Sequence, residues 1–334
     1  MGRIVGSVAV FLVGTSTAEA ASSPWYELDE CRAAYATVLS AELDAAQTAI
    51  ERLQHSADLG LRTCGTWLEV PLSAMELTLE GKSPALSSRH MHRLEKLFKF
   101  AMQYGRRQPE LLDLAIEARL RRVRMLVEQG EKTAAIGEAR KVEKMLDSRS
   151  DSPPNATRMY ARGVADLAVS GSPWALRVLV NLAGVGGDGE RGERLLEKLA
   201  EGKSVYQGEA LLVLYQFARQ GESSPDADTQ RYGAALALAH AESPQYVFDR
   251  AVDQYRTGAC ADALQTLGGV RSRLGANAGL WTPRVRKRVY WLTGRCALDT
   301  GDKSLAKESL ELASQENHDS YTEEVAVLAA DLKG

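Results

Sequence analysis

This chain reads as all-α: a superhelical stack of about seven degenerate helical hairpins, an α-solenoid. Three observations predict it. Aromatic residues make up only 6% of the chain, Ala, Leu, Glu and Arg abound, and β-branched residues do not alternate with polar ones over strand-length runs. Turn signals recur near Ala41, Gly81, Gly130, Gly171, Gly221, Gly258 and Gly301, spaced 37 to 50 residues apart. Prolines preceded by Ser, Thr or Gln stand between them, at Ser83-Pro84, Gln108-Pro109, Ser152-Pro153-Pro154, Ser172-Pro173, Ser224-Pro225, Ser243-Pro244 and Thr282-Pro283. Proline is tolerated in the first helical turn, where its missing N–H would have no intrahelical partner, so each of these marks a helix start.

Taken in order, the first twenty residues carry Arg3 as a charged start, an apolar run from Ile4 to Gly14, and the small-x-small triplet Ala18-Glu19-Ala20. This pattern predicts a secretory signal peptide cleaved after Ala20. The apolar run is too short to cross about 30 Å of hydrocarbon as a helix, which argues against an anchor. Tyr35 to Leu53 is the first hairpin, with Ala46 and Ile50 behind the turn. Ala118 to Val142 is another, where Gly130-Glu131 precedes Ala135 and Ala139. In Tyr246 to Val270, Gly258 precedes Ala263 and Leu267. The last, Tyr290 to Ala313, has Gly294 in mid-helix where a neighbouring backbone comes close, a turn at Gly301-Asp302, and Ala306 and Ala313 on one face. The other units follow from spacing. Two prolines after the polar run Asp147 to Asp151 disfavour helix, so the expected division is 21–150 and 151–334. The stretch Ala183 to Gly192 is glycine-rich, but it lacks the strand and the Lys-Ser or Lys-Thr of a phosphate loop. Gly184, Gly186 and Gly187 are expected to end one helix, Asp188 to cap the next, and Gly192 to allow close packing.

Mid-helix glycine, glycine turn and alanine face together resemble the tetratricopeptide repeat, a helix-turn-helix unit of about 34 residues; the longer spacing here marks a degenerate version. The resemblance implies a non-catalytic scaffold whose first helices line a concave groove for a protein or peptide. Counting back from Gly301, the family's ligand-contacting positions fall on Arg288, Trp291, Arg295, Leu298 and Asp299. Counting back from Gly258 gives Gln245, Phe248, Val252, Tyr255 and Arg256. A groove of Phe248, Tyr255, Arg256, Arg288, Trp291 and Arg295 would suit an acidic or carboxylate-ended peptide; the alternative is solvated arginines flanking core aromatics. Near Gly130 the same count puts Arg119 and Arg122 at packing positions, whereas Ile116, Leu120, Val123 and Val127 form the better apolar stripe. The segment GGDGERGERLLEKLAEG followed by EALLVLYQFAR is also similar to the T-component of periplasmic TRAP transport systems, which would imply an accessory subunit of a transport or secretion system.

Export would place the four cysteines in an oxidising compartment. Cys31 with Cys64 and Cys260 with Cys296 are the natural pairs, each joining neighbouring hairpins; four buried thiols are the alternative. No C-x-x-C spacing points to zinc. Formal net charge is −3, which offers no general attraction to nucleic acid or anionic membrane. His55, His90, His92, His240 and His318 sit in no catalytic motif, and as helix residues they are expected on the solvated surface. Asn155-Ala156-Thr157 matches a glycosylation acceptor by chance. The chain is therefore expected to be a periplasmic or secreted binding scaffold without cofactor or metal, not membrane-spanning, in an envelope complex. An enzyme on a helical toroid, the third reading, would need convergent acids in a pocket.

Overall fold

The computed structural model describes residues 23–81, 83–170, 187–219, 227–276, 281–319 and 321–331. The leader, the turns expected at Gly171 and Gly221, and Gly184 and Gly186 lie outside them. The described residues form fifteen α-helices and no strand: α1 (Asp29–Leu39), α2 (Leu43–Gln54), α3 (Leu59–Glu80), α4 (Pro84–Tyr104), α5 (Leu112–Glu128), α6 (Lys132–Asp147), α7 (Ala156–Ser170), α8 (Gly189–Ala200), α9 (Tyr206–Ala218), α10 (Ala227–Ala239), α11 (Pro244–Arg256), α12 (Cys260–Ala276), α13 (Pro283–Asp299), α14 (Lys303–Gln315) and α15 (Thr322–Asp331). A 3-10 turn, Trp25–Glu27, precedes α1. Each odd-numbered helix from α1 to α13 packs against the helix that follows it, and α15 closes the C-terminal end on α14. Among the described residues this makes seven helix pairs, an all-α solenoid of tetratricopeptide-like hairpins.

One turn, used four times, sets the repeat. Ala41, Gly130, Gly258 and Gly301 all have φ between 61° and 83°. In each case the N–H of that residue donates to the carbonyl three residues back, and the next N–H donates to the carbonyl five back, as in Glu131 to Leu126 and Asp302 to Ala297, both 2.8 Å. This is the Schellman pattern, which satisfies the last carbonyls of one helix and releases the chain into the next. Glycine takes the left-handed conformation freely; Ala41 takes it at a cost of roughly 1 kcal/mol. Five residues past each turn stand Ala46, Ala135, Ala263 and Ala306, all 3% exposed or less. Twelve past it stand Leu53, Val142, Val270 and Ala313, equally buried. These small and apolar residues are the face that each second helix presents to its own first helix. Gly294 leaves room for the second helix of the last hairpin, since a Cβ there would lie 2.7 Å from Leu310 Cγ and 3.5 Å from the Ala306 carbonyl oxygen.

Helix starts fall where the proline pairs predict: Pro84, Pro244 and Pro283 open α4, α11 and α13, with Ser83 and Thr282 accepting from Leu86 and Val285. Asp188 caps α8 by accepting from the N–H of Arg191 at 3.0 Å. Gly192 lies against the backbone of α7, where a Cβ would meet the Gly163 carbonyl oxygen at 2.8 Å. Pro71 departs from the rule that breakers lie between helices, for it sits inside α3 and leaves the Trp67 carbonyl without an intrahelical donor. The connector through Pro153-Pro154 is held by buried Asp113, which accepts from Arg149, Arg158 and Asn155. The Asn155 amide is thereby engaged. Segments 21–150 and 151–334 contribute to one continuous apolar core.

The stack also returns on itself. The start of α13 reaches the C-terminal end of α3, where Thr282 Oγ1 donates to the Leu79 carbonyl at 2.9 Å and Arg284 to that of Thr78 at 3.4 Å.

Candidate binding groove

The first helices of the N-terminal and middle hairpins leave no open groove, because their inner faces close on a cluster of aromatic rings. Trp67 lies 5.5 Å from Trp25, 5.4 Å from Tyr35 and 5.7 Å from Tyr206, and Tyr160 lies 5.2 Å from Tyr206. Their polar tips converge on two buried carboxylates. Glu117 accepts from Trp67 Nε1 at 2.9 Å, Tyr206 at 2.7 Å and Arg121 at 2.9 Å. Glu209 accepts from Tyr35 at 2.7 Å, Tyr160 at 3.2 Å and Arg121 at 2.8 Å. Burial pushes the Glu209 carboxyl up, but Arg121 and the two hydroxyls outweigh it and hold the group below its ordinary value. Burial raises Tyr35, Tyr160 and Tyr206, so all three stay protonated donors. The carboxylates are paired, yet every one of their oxygens is occupied. No reacting group could reach them.

At the C-terminal end the same kind of face is built differently. Helix α13 carries Arg284, Arg288, Trp291 and Arg295 at i, i+4, i+7 and i+11, a single stripe. Tyr255 at the end of α11 meets the Trp291 ring edge-on at 6.5 Å, and Tyr321 at the head of α15 stacks on its other side at 4.3 Å and 21°. An aromatic ladder thus crosses three successive first helices. Tyr321 holds its place with a left-handed backbone, φ 60°, which strains a bulky residue. Donors on this stripe lack acceptors: Trp291 Nε1, Arg284 Nε and Arg295 Nε have no hydrogen-bond partner. Arg295 reaches only Asp299, at 3.6 Å. Burial and then the neighbouring Arg288 charge push the Arg284 guanidinium down from its ordinary value.

Of the six groove residues expected from sequence, the structure brings four into two contacts and leaves Arg295 and Arg256 outside them. Arg288 lies over the Phe248 ring at 4.3 Å and reaches Gln245 at 3.4 Å. Phe248 itself is 2% exposed, a core residue beneath the arginine rather than part of an open wall. Tyr255 and Trp291 are half-buried and adjacent, Arg295 is half-exposed on the same stripe, and Arg256 is exposed at the end of α11. The two basic residues between Arg284 and Arg288 are internally paired. Arg286 makes a two-pronged bond to Glu316, and Lys287 donates to the His318 carbonyl and Thr322. Tyr321 and Arg284 were outside the expected set; only the acidic start of α15, Glu323-Glu324 after Thr322, signals the helix that Tyr321 precedes.

Several other expectations need correction. Cys31 and Cys64 are bonded, whereas Cys260 and Cys296 are separate buried thiols. His90 is not on the solvated surface: it is 5% exposed, and its Nδ1 lies 2.7 Å from Ser73 Oγ. Burial, reinforced by Arg121 and Arg93, takes its pKa down to about 4. This serine and histidine are not a nucleophile and base with access to substrate, since Ser73 is 1% exposed and spends its hydroxyl on the helix carbonyls of Glu69 and Val70. In α5, Ile116 and Leu120 are buried, but Val127 is 47% exposed, because the helix ends beside it at the Gly130 turn. Arg119 packs after all, with its guanidinium 4.3 Å over Phe98 and paired with Glu138.

Among the described residues no cluster of three or more His, Cys, Asp or Glu side chains could hold a metal ion, and no helix is long and apolar enough to cross a membrane. A cleft of about 440 Å³, lined by Tyr26, Arg32, Asn155, Met159, Leu199 and Lys203, opens near the start of α1, away from the stripe.

No family model and no curated protein matches the chain. Among solved structures, a crystal structure of a tetratricopeptide repeat protein from Parabacteroides merdae ATCC 43184 is similar, with 15% identity over 93% of this chain and 99% of that one and a TM-score of 0.34. A likeness of that size carries no argument, and the architecture rests on the helices and turns described above. The local similarity to T-components gains no support.

Proposed function

We propose that this chain is an exported, non-catalytic scaffold of the bacterial envelope that binds an acidic or carboxylate-ended segment of a protein partner along α11, α13 and α15. One observation carries the reading: two N–H donors on the α13 stripe, Trp291 Nε1 and Arg284 Nε, have no acceptor beside the Arg288 charge, and Arg295 Nε meets only Asp299, at 3.6 Å. An unmatched buried donor costs about 1–3 kcal/mol, so a surface that keeps two of them in line is poised to take acceptors from outside. Carboxylates and backbone carbonyls fit, through charge-assisted bonds to the arginines and apolar contact with the aromatic ladder. Export is supported by the Cys31–Cys64 disulfide, which persists in oxidising compartments, and by the leader pattern of the first twenty residues.

The test is capture of partners from envelope extract by the purified chain, alongside Arg295→Glu. Charge reversal is expected to cut recovery of specific partners at least tenfold, while circular dichroism stays unchanged. Equal recovery by both proteins would remove the groove from consideration. Synthetic peptides with free and amidated C-termini then separate a carboxylate end from internal acidic residues.

A further inference from the structure

Behind the α13 stripe, where α12 packs on α13, lie the two unbonded cysteines. Cys260 is the first residue of α12 and 7% exposed, and Cys296, one turn from the end of α13, is fully buried. Both belong to one buried cluster, and their helices pack on each other. Cys260 Sγ also lies 3.6 Å from Asp299 Oδ2, the same oxygen that faces Arg295 Nε at 3.6 Å. Asp299 stands one turn beyond Cys296, so Cys260 faces the turn of α13 that carries Cys296, the placement across a helix-helix seam from which a disulfide can close. Burial pushes both thiols up from their ordinary values, Cys296 further than Cys260, so the pair is stable as thiols until a reagent reaches it.

We propose that Cys260 and Cys296 are a reversible dithiol–disulfide site, closed by exchange with a small-molecule or protein disulfide into a second cross-link that ties α12 to α13. Cys260, the more exposed of the two, attacks one sulfur of the incoming disulfide as its thiolate, forming a mixed disulfide and expelling one thiolate. The Cys296 thiolate then attacks the Cys260 sulfur, forming the internal bond and expelling the second thiolate. Two electrons pass from the protein sulfurs to the incoming disulfide, and the two protons lost by the protein are taken up by the departing thiolates. Access comes through local opening at the exposed start of α12. Closure removes the S–H that Cys260 offers Asp299, leaving that carboxylate to Arg295 alone. The redox state of the site is thereby felt on the stripe, a consequence for ligand binding that rests on the groove reading, whereas the cross-link itself does not.

The experiment uses the full folded chain, equilibrated with an excess of oxidised glutathione or with dithiothreitol, alkylated, and mapped by mass spectrometry without reduction. In oxidised glutathione a peptide joining Cys260 to Cys296 is expected, two hydrogens lighter than its separate parts, and dithiothreitol should return two alkylatable thiols while the fold persists. The oxidised protein should melt roughly 5 °C above Cys260→Ser under the same conditions. Both cysteines still alkylatable in excess oxidised glutathione, or carrying glutathione and never each other, would overturn the proposal. The mapping needs neither a ligand nor a variant, so a wrong groove or a misfolded Cys260→Ser leaves it decisive.

Discussion

The two aromatic clusters of this molecule, one around Trp67 and one around Trp291, are made of the same residue types on the same kind of helix, yet they differ in their polar atoms. Around Trp67 the hydroxyls, the indole and one guanidinium all end on Glu117 and Glu209. Around Trp291 the indole and the Arg284 Nε–H end on nothing, and Arg295 Nε meets only a half-exposed carboxylate, Asp299, at 3.6 Å. Buried polar groups in folded proteins are nearly always matched, so the first arrangement is how a repeat stack closes on itself and the second is how it stays open to another molecule. Composition cannot separate the two. Matching of donors to acceptors can.

The largest effect should come from breaking the matched cluster. Glu209→Ala removes the acceptor of Tyr35 and Tyr160 and leaves the buried Arg121 cation with Glu117 as its one remaining carboxylate, at a cost of about 3–5 kcal/mol. Urea denaturation measures it, and a loss below 1 kcal/mol would mean that the cluster is not what holds the inner faces together.

Next comes acid. His90 has its pKa lowered to about 4 from the ordinary 6.5, so between these values the unfolded chain binds the proton more readily than the folded one. The stability this neutral histidine contributes is full above pH 6.5 and is lost as pH falls towards 4, by about 3 kcal/mol at most. Relative to the parent, His90→Asn should flatten the decline between pH 7 and 4.5; parallel pH profiles would exclude His90 as the source. Glu209, held below its ordinary value, adds a loss of the same sign at lower pH.

The smallest effect draws the comparison most sharply. Trp67→Phe deletes a donor to Glu117 and should cost about 2 kcal/mol. Trp291→Phe deletes a donor that has no acceptor and should change stability by under about 0.5 kcal/mol, or raise it slightly. Equal costs at the two positions, read from thermal melts, would erase the distinction.

What could be read from sequence was whatever local chemistry dictates. A left-handed turn calls for glycine, and Gly130, Gly258 and Gly301 announce it; the alanines at fixed offsets follow because two helices must touch there. The central cluster was not legible, because Glu117 meets Tyr206 across 89 positions and Tyr35 meets Glu209 across 174, and no spacing rule links residues so far apart. Tyr321 escaped for the opposite reason: its backbone takes a conformation that tyrosine does not advertise. Phe248 was placed by counting from the turn, which gives a position on the inner face but not whether Arg288 lies over it. Cys260 and Cys296, expected as a disulfide, are two unbonded buried thiols on helices that pack together, because spacing along the chain does not say whether two cysteines are bonded.

The contact between α3 and α13 carries a consequence for how the molecule comes apart. In an ordinary solenoid each unit touches only the next, stability is a sum of nearest-neighbour terms, and the array frays from its ends. Here Thr282 bonds the Leu79 carbonyl across 203 positions, so neither α3 nor α13 can peel away without breaking a tie to the far side of the chain. Such a stack should unfold in fewer and steeper steps than an open one. It should also fold more slowly, because that tie closes a loop of most of the chain before it returns any energy.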